Sequence, residues 1–315
     1  MIIIFGSISM DVYINVPDFP EPDMPVMAMR HVMDPGGMGA NQALAAARCG
    51  SKTALVGKVG NDEMGRNILN GLKSNEVMTS GVARCDSLPT GMNFIVKNGA
   101  QKKKKTVSMS ANSEISNQQI PDEILTPENM IVLQMEVPRE ENIALMERAK
   151  MSGTKVILNL APAITITKQE LRCLDYLVVN QIEARGLAKS LGVSADDNYD
   201  KIAEALARTG ELTCVVTMGD KGSVAVTEKG QKWVTQAMQC VEFVDNAGAG
   251  DCYTGTLAAA IHNGKSLPQA LRMASVAAGL CCQKKKAQDS FPYLGEIDEH
   301  LEGVAMPESD GGFVS

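Results

Sequence analysis

In the stretch Val241-Glu242-Phe243-Val244-Asp245-Asn246-Ala247-Gly248-Ala249-Gly250-Asp251-Cys252-Tyr253-Thr254-Gly255, three features follow one another. Apolar residues ending at Val244 predict a strand, a glycine-bearing turn comes next, and small residues from about Gly250 predict a helix. A turn of this kind aims several backbone N–H groups at one point on the positive end of a helix dipole, so it binds anions. Gly248 and Gly250 let the backbone come close to such an anion. Asp251 is then out of place, because a carboxylate beside an anion cradle repels the anion. Either it caps the helix, contributing about 1 kcal/mol, or it accepts the proton of an attacking hydroxyl. Known glycine motifs do not account for the segment. No GxxxxGK[ST] occurs in the chain, and Tyr253 stands where the third glycine of a dinucleotide fingerprint belongs.

Outward from this segment, short β-branched runs alternate with helical patterns. Strands are expected at Ile2–Phe5, Thr53–Val56, Val156–Leu158, Tyr176–Val179 and Cys214–Thr217. Helices are expected at Gly39–Arg48, Gly65–Lys73, Glu141–Met151, Tyr199–Arg208, Thr254–His262 and Pro268–Cys282, with Gly50 and Gly264 as stop signals. This alternation predicts an α/β fold, a three-layer sandwich around a mainly parallel sheet. Two segments break the rhythm. Asp11–Pro35 carries Pro17, Pro20, Pro22, Pro25 and Pro35, and Thr90–Ser110 has a hairpin pattern with Asn98-Gly99 in its turn. Together they predict a small β-sheet lid (residues 11–35 and 90–110) on an α/β domain (1–10, 36–89 and 111–306), followed by a polar, flexible tail (307–315). Lys102–Lys105 in the hairpin is either a solvated edge that blocks aggregation or an attraction for a phosphorylated ligand; four successive lysines point to both faces of a strand and make no pocket alone.

Composition narrows the function classes. With 315 residues, 44% of them hydrophobic and 21% charged, the chain has the make-up of a globular protein. A net charge of −7 and only 4% aromatic residues argue against nucleic acid as partner. No run approaches about 18 apolar residues, and Met1–Phe5 lacks a charged n-region, so neither a membrane span nor a signal peptide is expected. Eight cysteines without a CxxC spacing, and only His31, His262 and His300, fit reduced thiols in the cytoplasm rather than a zinc site.

The Gly-Ala-Gly-Asp segment resembles that of the ribokinase-like (pfkB) carbohydrate kinases. Pro35-Gly36-Gly37-Met38-Gly39-Ala40-Asn41-Gln42-Ala43 and Gly6-Ser7-Ile8-Ser9-Met10-Asp11 resemble two further family segments. Leu133-Gln134-Met135-Glu136, Asn159-Leu160-Ala161-Pro162-Ala163, Asn180-Gln181-Ile182-Glu183 and Thr217-Met218-Gly219-Asp220-Lys221-Gly222 then follow in the family's order. The resemblance spans about residues 2 to 302. It implies ATP-dependent phosphorylation of a sugar hydroxyl, with a ribose-like pentose as first acceptor and Asp251 as general base; Gly248, Ala249 and Gly250 share its catalytic turn, and the N–H groups of Ala249, Gly250 and Asp251 would form the anion hole. Ser9, Asp11, Gly37, Met38, Asn41 and Glu136 would hold the sugar. Asn180, Thr217, Gly219, Gly222, Gly250 and Ser275 would meet the nucleotide. Glu183 would help hold Mg2+ through water, and Asp245 and Ser290 a monovalent cation such as K+.

Read without the resemblance, several of these residues have plainer roles. Asp11 serves equally as a turn cap, Asn41 as a buried amide, and Asn180 with Glu183 as an ordinary helix-surface pair. Three departures from the family pattern bear on substrate and ion. Met38 stands for a lysine and Ser9 for an asparagine beside the sugar. Lys286 stands for a glycine; it either alters the loop backbone or puts its ammonium in the place of K+. Two other readings remain, a nucleoside kinase acting on the ribose 5′-hydroxyl and a non-catalytic sugar or nucleotide sensor. An open lid edge offers a surface for a second copy, and a monomer is equally compatible with it.

Overall fold

The computed structural model describes residues 1–100, 102–193, 198–240 and 242–310. In chain order the first third contains β1 (Ile2–Phe5), β2 (Ser9–Asn15), β3 (His31–Gly36), α1 (Met38–Arg48), β4 (Thr53–Gly60), α2 (Glu63–Ser74), β5 (Met78–Cys85), β6 (Gly91–Lys97) and β7 (Lys103–Ser108). The middle contains β8 (Met130–Gln134), α3 (Arg139–Ser152), β9 (Lys155–Asn159), α4 (Lys168–Leu171), β10 (Tyr176–Asn180), α5 (Gln181–Ser190), α6 (Tyr199–Gly210) and β11 (Thr213–Thr217). The chain ends with β12 (Ser223–Val226), β13 (Lys232–Thr235), α7 (Ala249–His262), α8 (Leu267–Cys281), α9 (Ala287–Ser290), α10 (Leu294–His300) and β14 (Glu308–Asp310).

A ten-stranded sheet in the order β14-β13-β12-β11-β10-β9-β8-β1-β4-β5 forms the centre. From β5 to β11 its strands run parallel, and β12, β13 and β14 add an antiparallel margin. Parallel strands covered on both faces need apolar residues at successive positions, and β1 supplies them. Ile2 and Ile4 enter the core under α1, α7 and α8, while Ile3 and Phe5 enter the core under α3, α5 and α6. Because every parallel strand points the same way, Phe5, Gln134, Asn159, Asn180 and Thr217 all finish on one edge of the sheet, where ligands of open α/β sheets bind.

The second sheet, in the order β3-β2-β6-β7, is separate. Its strands fall within the two proline-rich and hairpin segments, apart from β2, which begins at Ser9, and β3, which ends at Gly36. Asn98 and the β6–β7 register complete the expected hairpin. The sheet is pinned at its roots. Asn112 Nδ2 donates to Ile8 O at 2.8 Å and its Oδ1 accepts from Ile8 N at 2.9 Å. Asp62, which caps α2, also accepts from Thr90 N at 2.7 Å.

Two expectations are corrected. The run ending at Val244 is not a strand: Val244 N donates to Cys282 O at 2.9 Å, so its backbone pairs with the end of α8 rather than with a sheet, and Phe243 is exposed. Val241 lies outside the described residues. Lys286 adopts φ 69° where a glycine was expected, and its ammonium lies 2.7 Å from Asp34 of β3, away from Asp245. In the tail, Glu308–Asp310 pairs with β13, and residues 311–315 lie outside the described residues. No helix among the described residues is long and apolar enough to cross a membrane.

Candidate active site

The site begins with the turn into α7. Gly248 has φ 79°, and a Cβ there would meet Ala287 Cβ at 2.8 Å and Phe291 Cε1 at 2.9 Å, so both conformation and packing require glycine. Ala249 N closes the turn onto Asn246 O at 3.2 Å. The N–H groups of Gly250 and Asp251 belong to the first turn of a helix and have no partner within it. A Cβ built on Gly250 would meet nothing within 4 Å, so the turn is uncrowded at this residue. Of the three N–H groups expected in the anion hole, that of Ala249 is spent on the turn itself.

Asp251 is buried at the mouth of this turn. Asn41 Nδ2 donates to its Oδ2 at 2.9 Å and Gln42 Nε2 to its Oδ1 at 3.0 Å. Burial raises the carboxyl strongly and nearby Glu136 adds to the rise; the two amides and Lys105 oppose it, and the balance stands at about 7. Gln42 is itself held by Gln134 Nε2, which donates to its Oε1 at 2.7 Å, and it donates to Asn159 Oδ1 at 3.2 Å. The carboxylate is therefore fixed by a buried amide chain reaching across the ends of β8 and β9, which suits a base that must stay in place.

Opposite, Asp11 on β2 accepts from Asn93 Nδ2 at 2.7 Å, and the same amide reaches Ser9 Oγ at 2.9 Å. Burial raises Asp11, against the pull of Asn93 and Lys105. Gly37, at φ 91°, caps α1; its Cβ would lie 2.7 Å from Ser7 O. This close approach brings Met38 N within 2.9 Å of Ser7 Oγ and 3.3 Å of Glu136 Oε2. Ser7 Oγ donates to Glu136 Oε2 at 2.8 Å, and Lys105 reaches from the lid to Glu136 Oε1 at 3.1 Å. Glu136 and Lys105 act electrostatically on both Asp11 and Asp251, so the three carboxylates share one cleft between lid and sheet edge.

The remaining residues lie further along the same edge. Asn180 caps α5: its Oδ1 accepts from Ile182 N and Glu183 N, while Glu183 Oε2 accepts from Asn180 N at 2.8 Å. Burial raises the Glu183 carboxyl despite these bonds. Thr217 ends β11 beside Asn180, and Gly219 and Gly222 flank the tight turn into β12. Ser275 Oγ donates to Gln236 O at 2.7 Å. No group of three His, Cys, Asp or Glu side chains able to hold a metal occurs among the described residues. A lone buried carboxylate at Glu183 suits an ion whose ligands are mostly phosphate oxygens and water. Asp245 and Ser290 fit a bound cation less well. Both Asp245 oxygens meet ammoniums, of Lys97 at 3.3 Å and Lys103 at 3.1 Å. Ser290 Oγ donates to Ala287 O at 2.6 Å.

Gln42, Ser7 and Asn93 were not singled out from sequence, although Gln42 and Ser7 stand inside the motifs that were. Their partners lie far along the chain, and amides that orient a carboxylate leave no spacing pattern.

Known proteins match this arrangement along almost its whole length. A ribokinase of Haemophilus influenzae is 31% identical over 301 residues, covering 95% of this chain and 97% of its own. The structure of a Thermotoga maritima ribokinase superposes with a TM-score of 0.88 at 29% identity, covering 96% of this chain and 99% of its own. That of an Arabidopsis thaliana ribokinase complexed with ribose and ATP gives 0.86 at 27% identity, covering 96% and 98%. The profile of the pfkB family carbohydrate kinases matches residues 1–294, and the chain belongs to that family.

Proposed function

We propose that the protein transfers the γ-phosphoryl group of ATP to a hydroxyl of a small sugar, with ribose as the first acceptor. The observation that carries this reading is Asp251, buried, held by two amides and poised near neutrality beside an open helix N-terminus. As the acceptor oxygen forms its bond to the γ-phosphorus, the bond from that phosphorus to the β,γ-bridging oxygen breaks. The electron pair leaves on ADP, and the hydroxyl proton passes to Asp251. Charge developing on the transferred group faces the N–H groups of Gly250 and Asp251. Asp11, Asn41 and Glu136 accept from or donate to the sugar hydroxyls, and Gly37 lets the sugar lie against the backbone. The turn Thr217–Gly222 and Ser275 face the nucleotide. Glu183 would hold, through water, the Mg2+ that accompanies ATP, and that ion would neutralise phosphate charge. The lid closes over the cleft and excludes water, the competing acceptor.

We extend this reading to setting and assembly. The eight cysteines are free, as in a reducing cytoplasm. β3 and β7 leave open ladder edges, with Val32, Met33 and Val107 exposed along them, and a second copy pairs there.

The test is ATP turnover by the full chain against pentoses, hexoses and nucleosides. Turnover with ribose well above that with hexoses or nucleosides is expected. Turnover confined to nucleosides makes this a nucleoside kinase, and sugar binding without turnover makes it a sensor.

A further inference from the structure

On each lid strand alternate residues face the cleft. On that face Lys97 and Lys103 are register partners across β6 and β7. Like charges directly opposite on an antiparallel pair are destabilising. Here a single carboxylate offsets the repulsion: Lys97 Nζ lies 3.3 Å from Asp245 Oδ2, and Lys103 Nζ lies 3.1 Å from Asp245 Oδ1. Asp245 Oδ1 also accepts from Ala247 N at 3.3 Å, and Asp245 N donates to Cys282 O at 3.3 Å. The two lysines therefore grip the segment that runs directly into Gly248 and the first turn of α7. Although burial works to raise the Asp245 carboxyl, the two ammoniums outweigh it and hold the group below the usual range. Two positive charges already exceed the one negative charge, so a further cation at this point meets net repulsion. Ser290 adds little to such a site, since its Oγ is 2.6 Å from Ala287 O and 3.0 Å from Cys281 Sγ.

We propose that Lys97 and Lys103 take the place of a free monovalent cation at Asp245, so that closing the lid and setting the phosphate-facing turn are one event. The geometry stands by itself, while its consequence for catalysis rests on the phosphoryl-transfer reading above. Both ammoniums reach Asp245 with no acceptor bound, so a lid held over the cleft also holds the turn that carries the donors of Gly250 and Asp251.

Hydrogen exchange at the backbone amides of 246–250 tests this on the full chain without ligand, in KCl and in tetramethylammonium chloride at equal ionic strength. The wild type is expected to show equal protection in both salts. Lys97→Gln/Lys103→Gln is expected to lose up to about tenfold of that protection in tetramethylammonium, the most that two half-exposed ion pairs supply, and to regain it in KCl. Asp245→Asn should lose it in both salts. Lys104→Gln removes a charge from the same strand, where it lies 4.4 Å over the Phe19 ring, and should retain protection, which separates the clamp from general lid charge. Protection of the wild type that rises severalfold in KCl would overturn the proposal, as would a double variant as protected as the wild type in tetramethylammonium. Exchange needs no acceptor, so a negative result here sinks the clamp alone, whereas absence of phosphoryl transfer with the clamp intact sinks the kinase reading alone.

Discussion

Asp251 sits where burial and chemistry oppose each other. A carboxyl raised from 3.8 to about 7 is a base matched to neutral pH, and it is also a cost to the fold. At acid pH both folded and unfolded chains carry the proton, so the group costs nothing. As pH rises from about 4 towards 7 the unfolded chain ionises first, and stability is lost across that window. Asp251→Asn should therefore raise the melting temperature at about pH 8 and lose this advantage near pH 4, with an upper bound of about 4 kcal/mol from the shift. Thermal melts of both proteins across pH check it; equal melting temperatures at every pH would deny the raised value. For the same reason kcat/KM should climb with pH through about 7, because the base works only when ionised. A profile flat between about pH 5.5 and 8 would contradict it. At this scale Asp11, Asn41, Glu136 and Asp251 were legible as candidates, because each stands at a fixed place in a short motif, and the structure brings them together. Gln42 as the second amide on Asp251 was not, since that contact joins residues 209 positions apart.

At the scale of elements, the helix starts carry the site. Gly37 has φ 91°, and its Cβ would press on Ser7 O, Ile8 Cα and Ser9 N. Gly37→Ala should push α1 away from β1, loosening Met38 N from Ser7 and Glu136. Expected is a rise in the KM of the acceptor together with a lower melting temperature; unchanged values of both would contradict the close approach. Asn180→Ala removes the capping box of α5 and should cost about 1 kcal/mol of stability, measured by denaturant unfolding. Loss of ATP affinity beyond that cost would support the nucleotide role as well as the cap. Most of the parallel strands were legible because a strand buried on both faces is an unbroken apolar run, as in Ile2–Phe5, whereas β5, only partly buried at the edge of the sheet, was not. β12, β13 and β14 were not, being short antiparallel strands at the margin of the sheet. The run ending at Val244 failed for a related reason: apolar character marks burial or contact, and here the backbone partner is the end of a helix.

For the molecule as a whole, the lid is a charged cover. Besides the Asp245 pair, Lys105 meets Glu136 and Lys286 meets Asp34, so every strand of the lid except β2 sends an ion pair to the body. The alternation of strands and helices and the two interruptions made the architecture readable, yet nothing in a run of lysines says which carboxylates they will meet. Only the register of β6 on β7 turns Lys103 and Lys105 to the cleft and Lys104 away. If β3 and β7 pair with a second copy, light scattering should report twice the chain mass, and a single-chain mass at micromolar concentration would contradict that pairing. What joins lid, sheet edge and helix start is the transfer itself. The most direct measurement is therefore transfer of labelled γ-phosphoryl from ATP to ribose by the wild type and by Asp251→Asn at saturating substrates. The account predicts rapid transfer by the wild type and a loss of roughly 10²–10⁴-fold in the variant; transfer by the variant within about tenfold of the wild type would contradict it.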